Sequence, residues 1–117
     1  MKAMILDGIK DLSTDERPLK LAEIPLPAPD KGEVLIRVST CGVCHTELDE
    51  TEGRTPPDHF PMILGHQVVG YVEALGPGAG LHRVGDRVGV GWIFNSCGKC
   101  RFCLLGMENL CAEFRAT

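Results

Sequence analysis

Four cysteines in the pattern Cys97-x2-Cys100-x2-Cys103-x7-Cys111 constrain this chain more than any other feature. Thiols two residues apart converge readily on one ion, whereas disulfide frameworks tie distant segments together. Four thiolates satisfy the tetrahedral preference of zinc, with Zn–S near ~2.3 Å, and leave no position open. Such a site does no Lewis-acid chemistry; it staples a loop too irregular to build its own core. Residues 97–111 are therefore expected to form a structural zinc lobe. An iron–sulfur cluster is the rival reading, since three cysteines at this spacing also open the bacterial ferredoxin run. That run needs a fourth cysteine after three intervening residues and then a proline. Met107 and Glu108 stand there instead.

The other two cysteines, Cys41 and Cys44, share the two-residue spacing, and nothing at the N-terminus resembles an export signal. Both facts point to metal rather than disulfides and to a reducing, cytoplasmic setting. The net charge is -4 with no basic stripe, which argues against a nucleic-acid partner. No apolar run is long enough to cross a bilayer, so no membrane partner is expected. A length of 117 residues suits one domain, and with so few aromatics its core must rest on Val, Ile, Leu and Met.

Strand-period alternation marks Lys2 to Leu6, Leu19 to Ile24 and Glu33 to Val38, the last placing Val34, Ile36 and Val38 on one face. Pro25 to Gly32 is a connector that no helix could occupy. A further strand pair is expected at Gln67 to Leu75 and Arg87 to Val90, separated by the Gly76–Gly80 loop. Short helices are expected near Thr46 to Glu52, stopped by Gly53, and near Cys100 to Leu105, stopped by Gly106. Many short strands with Gly/Pro punctuation predict a mainly β, barrel-like domain with short helices.

Cys44 follows one predicted strand and His66 opens another. Taken alone, each has an ordinary structural explanation: a small core thiol and a hydrogen-bonded histidine. Cys41 and Cys44 could also form half of a zinc ribbon with Cys97 and Cys100, although the gap is longer than a ribbon uses. Spacing alone leaves a second metal site open.

Taken together, Gly42-Val43-Cys44-His45-Thr46, Gly65-His66, Gly85-Asp86-Arg87-Val88 and the quartet resemble the N-terminal catalytic domain of the zinc-dependent medium-chain alcohol dehydrogenases. The order and separation of four motifs match over essentially the whole chain. The resemblance implies a GroES-like irregular β-barrel over residues 1–117 with a zinc-stapled lobe at 97–111. It also implies a Rossmann cofactor domain and a third catalytic zinc ligand beyond Thr117. Consistently, no G-x-G-x-x-G occurs among the 14 glycines. By the same resemblance Cys44 and His66 are two of three protein ligands to a catalytic zinc, in addition to the structural one. Thr46 takes the alcohol proton, and His45 contacts the pyrophosphate of NAD or NADP. The zinc acidifies a small-molecule alcohol, which passes hydride to the nicotinamide, giving an oxidoreductase of an alcohol/aldehyde pair. Homo-oligomers are the family's habit.

Residue by residue, alternatives stay open. Thr46 with Asp49 also reads as a helix N-cap box, and His45 as an exposed helix-start histidine. Glu47 stands where an Asp commonly orients the zinc histidine, and can still accept its proton. Gln67 replaces the usual Glu after that histidine, making the site less anionic. Asp49 replaces a histidine that many members use to relay the proton outward. Cys41 is expected in the core and Asp86 in a turn, while Trp92 and Ile93 are expected either in the pocket wall or in the core. Two other classes compete: a non-enzymatic zinc-stapled binding module, and a small electron carrier built on the quartet. Neither explains Cys44, Thr46 and His66 falling in register. The 117 residues alone are expected to be inactive.

Overall fold

The computed structural model describes residues 1–117. The chain is mainly β, and its strands form three open antiparallel sheets. β1 (Lys2–Ile5) pairs with β2 (Lys20–Glu23). β3 (Val34–Gly42), β4 (Gln67–Leu75) and β5 (Arg87–Val90) form the central sheet in the order β3-β4-β5. The eight-residue helix α1 (His45–Glu52) is inserted between β3 and β4. The cysteine lobe follows, with β6 (Ile93–Asn95), α2 (Arg101–Leu104), a 3-10 turn (Glu108–Leu110) and β7 (Arg115–Ala116). No helix is long and apolar enough to cross a membrane.

β4 organises the core because its sequence alternates cleanly. Val68, Gly70, Val72 and Ala74 face inward and their neighbours outward, with Val72 fully buried. Arg37 and Tyr71, directly opposed across β3 and β4, stack guanidinium over ring at 5.6 Å. On β3 the expected single apolar face fails. Register shifts fall between Leu35 and Ile36 and between Val38 and Thr40, and each bulge turns the following side chains over. Leu35 is consequently half-buried, while Val38 is exposed.

α1 ends at Gly53, whose φ of 78° lets its N–H return to the carbonyls of Asp49 and Glu50. The second helix is shorter than expected, Arg101–Leu104, with Cys100 as its N-cap and Leu105 as its C-cap.

The apolar core is small. Only Leu6 and Val72 are large side chains removed completely from solvent. The accessible surface is 8459 Å², against roughly 6200 Å² for a compact monomer of this mass. The radius of gyration is 15.9 Å, against about 13.4 Å for a compact 117-residue domain. The cysteine lobe contributes to this openness, with Leu104 and Leu105 well exposed. With so few apolar contacts, that lobe depends on its cysteines.

Candidate metal centres

In the lobe the four thiols converge. α2 puts Cys100 and Cys103 on one face, three residues apart, and their sulfurs lie 3.5 Å from each other. Cys97 Sγ is 3.9 Å from Cys103 Sγ. A tetrahedron with Zn–S near ~2.3 Å has edges of about 3.8 Å, so these separations suit one small ion. All four sulfurs lie within 4.8 Å of one another, closer than ligands spread around a multi-iron cluster. All six cysteines are free thiols.

Backbone donors already favour thiolates here. Cys100 N–H donates to Cys97 Sγ at 3.3 Å, and the N–H groups of Cys97 and Glu113 donate to Cys111 Sγ at 3.4 and 3.3 Å. The N–H of Lys99, and then that of Cys100, pull the Cys97 thiol down to about 7. For Cys111 the N–H of Cys97 pulls the same way, yet burial and the Cys97 and Cys103 thiols push it up to about 11. One thiol ionises easily and its neighbour then resists. A dication relieves that repulsion, and the donor set fits zinc.

The second cluster is built by strand register. Gly42 opposes Gln67 across the β3–β4 ladder, so Cys44, just past β3, and His66, just before β4, leave the sheet side by side. Cys44 Sγ lies 3.5 Å from His66 Nε2. Cys44 is the N-cap of α1, and its backbone N–H donates to Glu47 Oε2 at 2.6 Å. The expected cap at Thr46 with Asp49 is therefore wrong: Cys44 and Glu47 close the capping box two residues earlier. Thr46 instead sits inside the first turn, half-buried.

Behind the pair, Glu47 Oε1 is buried 2.9 Å from His66 Nδ1, yet no hydrogen bond of good geometry reaches that oxygen. Burial raises the Glu47 carboxyl, but N–H donors from Cys44 and its own backbone outweigh it and hold it below the usual range. Glu47 and His66 are among the few buried polar residues, 6% and 8% exposed. An ion on Nε2 would fix the ring proton on Nδ1, facing the unmet Glu47 oxygen. The site therefore fits a metal held by Cys44 and His66, with Glu47 within ligand range as well.

The remaining expected residues fall as follows. His45 is 78% exposed, with Nε2 3.7 Å from Asp49, and Arg54 also grips Asp49 and Glu52. Gln67 is exposed, and its side chain lies across Gly42, whose added Cβ would come within 2.7 Å of Gln67 Oε1. Asp86 accepts the Arg83 N–H at 2.8 Å in a turn, as expected. Cys41 is not in the core. It is exposed and joins neither cluster, which removes the ribbon pairing with Cys97 and Cys100. Trp92 and Ile93 are also outside the core, 55% and 40% exposed; Trp92 packs edge-on to Phe114 at 5.4 Å. A cavity of about 610 Å³ opens on His66, and its wall includes Glu50, Leu64, Phe94 and Phe114 rather than Trp92 or Ile93. Only the pairing of β6 with β7 brings that aromatic wall round, and strands so short leave no periodic signal.

Gly65, next to His66, has φ 119°, and a Cβ there would lie 2.5 Å from Cys41 Sγ. Gly65→Ala is expected to destabilise the protein by about 2 kcal/mol, read from the denaturant midpoint. Cys41→Ala in the same chain should recover part of that loss, because it removes the clash but not the backbone strain.

A β domain carrying four converging thiols and, separately, a Cys–His–Glu cluster with a cavity opening on its histidine is a domain with two candidate metal centres of different chemistry. The comparisons agree: residues 30–117 match the alcohol dehydrogenase GroES-like domain, and the chain belongs to that family. It is similar to an alcohol dehydrogenase of Geobacillus stearothermophilus, 43% identical over 95% of this chain and 32% of that one. A Moraxella alcohol dehydrogenase is likewise 43% identical, over 80% of this chain and 28% of that one. Among solved structures, a thermostable alcohol dehydrogenase from Pyrobaculum aerophilum, with cobalt and zinc bound, superposes with TM-score 0.84 at 35% identity. That match covers 97% of this chain and 32% of the other. The chain thus spans about a third of the length of the curated relatives it matches.

Proposed function

We propose that these residues form the catalytic domain of an alcohol dehydrogenase that moves hydride between an alcohol/aldehyde pair and NAD or NADP. The observation that carries it is the meeting of Cys44 Sγ and His66 Nε2 at 3.5 Å, backed by the buried Glu47. Cys44 and His66 would hold the reacting zinc and Cys97, Cys100, Cys103 and Cys111 the structural one. When bound, the first supplies Lewis acidity that eases ionisation of an alcohol.

The chain's own residues do the rest. Glu47 keeps the proton on His66 Nδ1, so that Nε2 offers its lone pair outward. The Thr46 hydroxyl, freed from any capping duty by Cys44 and only half-buried, relays the alcohol proton, accepting it while passing its own proton on to solvent. His45, exposed at the helix start where backbone N–H groups point outward, meets the cofactor phosphates. A cofactor-binding Rossmann domain and a third ligand would lie beyond Thr117, and homo-oligomers would follow the family's habit. Nicotinamide reduction by the full-length protein with primary and secondary alcohols, lost in Cys44→Ser, tests the reading. Equal turnover in wild type and Cys44→Ser would refute it.

A further inference from the structure

The cavity that opens on His66 has two walls of different build. Residues 62–66 form one, and it is anchored to the body of the domain. Leu6 and Met62 exchange both backbone hydrogen bonds, at 2.8 and 2.9 Å, and Leu6 is fully buried. The facing wall is Phe94 with residues 114–117, carried by β6 and β7. These two strands pair only with each other, and none of their residues is buried. Their ladder consists of Ile93 opposite Ala116 and Asn95 opposite Arg115, with a register shift between them. Thr117 adds its N–H to the Trp92 carbonyl at 2.9 Å and its hydroxyl to the Gly91 carbonyl at 2.8 Å. Trp92 rests edge-on against Phe114.

A two-stranded ribbon this short is marginal in water, and here it must also close the whole cysteine lobe, whose loop entropy opposes pairing. The quartet sits where that cost can be met. Cys97 follows β6 almost directly, and Cys111 is tied to the wall because its carbonyl accepts the Phe114 N–H at 3.1 Å. The two ends of the lobe already touch, with the Cys97 N–H donating to Cys111 Sγ at 3.4 Å. Resting on the dehydrogenase reading for what enters the cavity, we propose that the metal-loaded quartet is a clasp for this wall. By tying Cys97 to Cys111 it holds β6 on β7, and through Phe94 and Phe114 it sets the affinity for the alcohol. The lobe thus positions substrate in addition to stapling its own loop. When the clasp is lost, this wall opens while the anchored side, His66 included, stays in place.

The test uses the zinc-loaded full-length protein, below its thermal midpoint, with hydrogen exchange, zinc counting and turnover of the best-used of a panel of primary and secondary alcohols. In Cys103→Ser, residues 92–95 and 114–117 should exchange at least about 10-fold faster, with residues 62–66 unchanged. KM should rise about 10-fold with kcat within about 3-fold. Cys103→His, which keeps four ligands for zinc, should restore both. Phe114→Ala leaves the quartet whole, so it tests the wall even if Cys103→Ser does not fold. It should keep both zincs and raise KM about 10-fold. An unchanged KM in Phe114→Ala, unchanged exchange in a Cys103→Ser protein that has lost the lobe's zinc, or equal acceleration at residues 62–66 would each overturn the proposal. Turnover of no alcohol by wild type holding both zincs would overturn the dehydrogenase reading instead, and the exchange pattern would still decide whether the quartet holds the wall.

Discussion

His66→Ala in the full-length protein is expected to remove one zinc per chain and reduce kcat/KM for alcohol oxidation by at least about 10³-fold, leaving the other zinc in place. The magnitude follows from what the residue does. Removing His66 takes away one of the two donors, Cys44 and His66, assigned to the reacting zinc, and strands the buried Glu47 carboxylate, 6% exposed, without its partner. Glu47→Ala should be milder, about 10- to 100-fold in zinc affinity or activity, because it loosens the ring without removing the donor atom. Metal analysis with turnover on the same samples separates the two variants. If His66→Ala kept both zincs and its activity, the cluster would be structural.

Cys103→Ser is expected to do the opposite. It should release the lobe's zinc, and lower the thermal midpoint by roughly 10 °C or more, while the Cys44–His66 pair keeps its geometry. The lobe has little to fall back on. α2 has four residues, none of them buried, and β6 and β7 share only a short, irregular ladder. Once the thiolates lose their ion, their mutual repulsion favours opening. Differential scanning calorimetry with zinc counting on the same sample reads both effects. A lobe that lost its zinc without any loss of thermal stability would show that the quartet is not a staple.

Much of this was legible from residues alone because several signals were local. The quartet declares itself by spacing. The bounds of β4 and β5 follow from period-two alternation ending at glycine-rich turns, and Gly53 stops α1 because it tolerates the left-handed conformation. Other features were not local. Two bulges on β3 overturned the expected face, and bulges depend on cross-strand pairing that one strand does not encode. The N-cap lay at Cys44 rather than Thr46 because Glu47 serves the helix start and His66 at once, and that tie spans residues far apart in sequence. Cys41 looked like a core thiol by residue type, yet it lies in the exposed stretch of β3 that follows the bulges. The cavity wall, with Glu50, Phe94 and Phe114, assembles from three distant segments.

The presence of two chemically different metal centres is tested most directly by zinc X-ray absorption on the full-length protein and on His66→Ala. The wild type should show two zincs per chain with sulfur near ~2.3 Å and a nitrogen contribution near ~2.0 Å. In His66→Ala one zinc and the nitrogen contribution should vanish together, leaving a sulfur-only shell. An unchanged nitrogen shell, or an unchanged zinc count, would contradict the assignment of His66 to a metal centre.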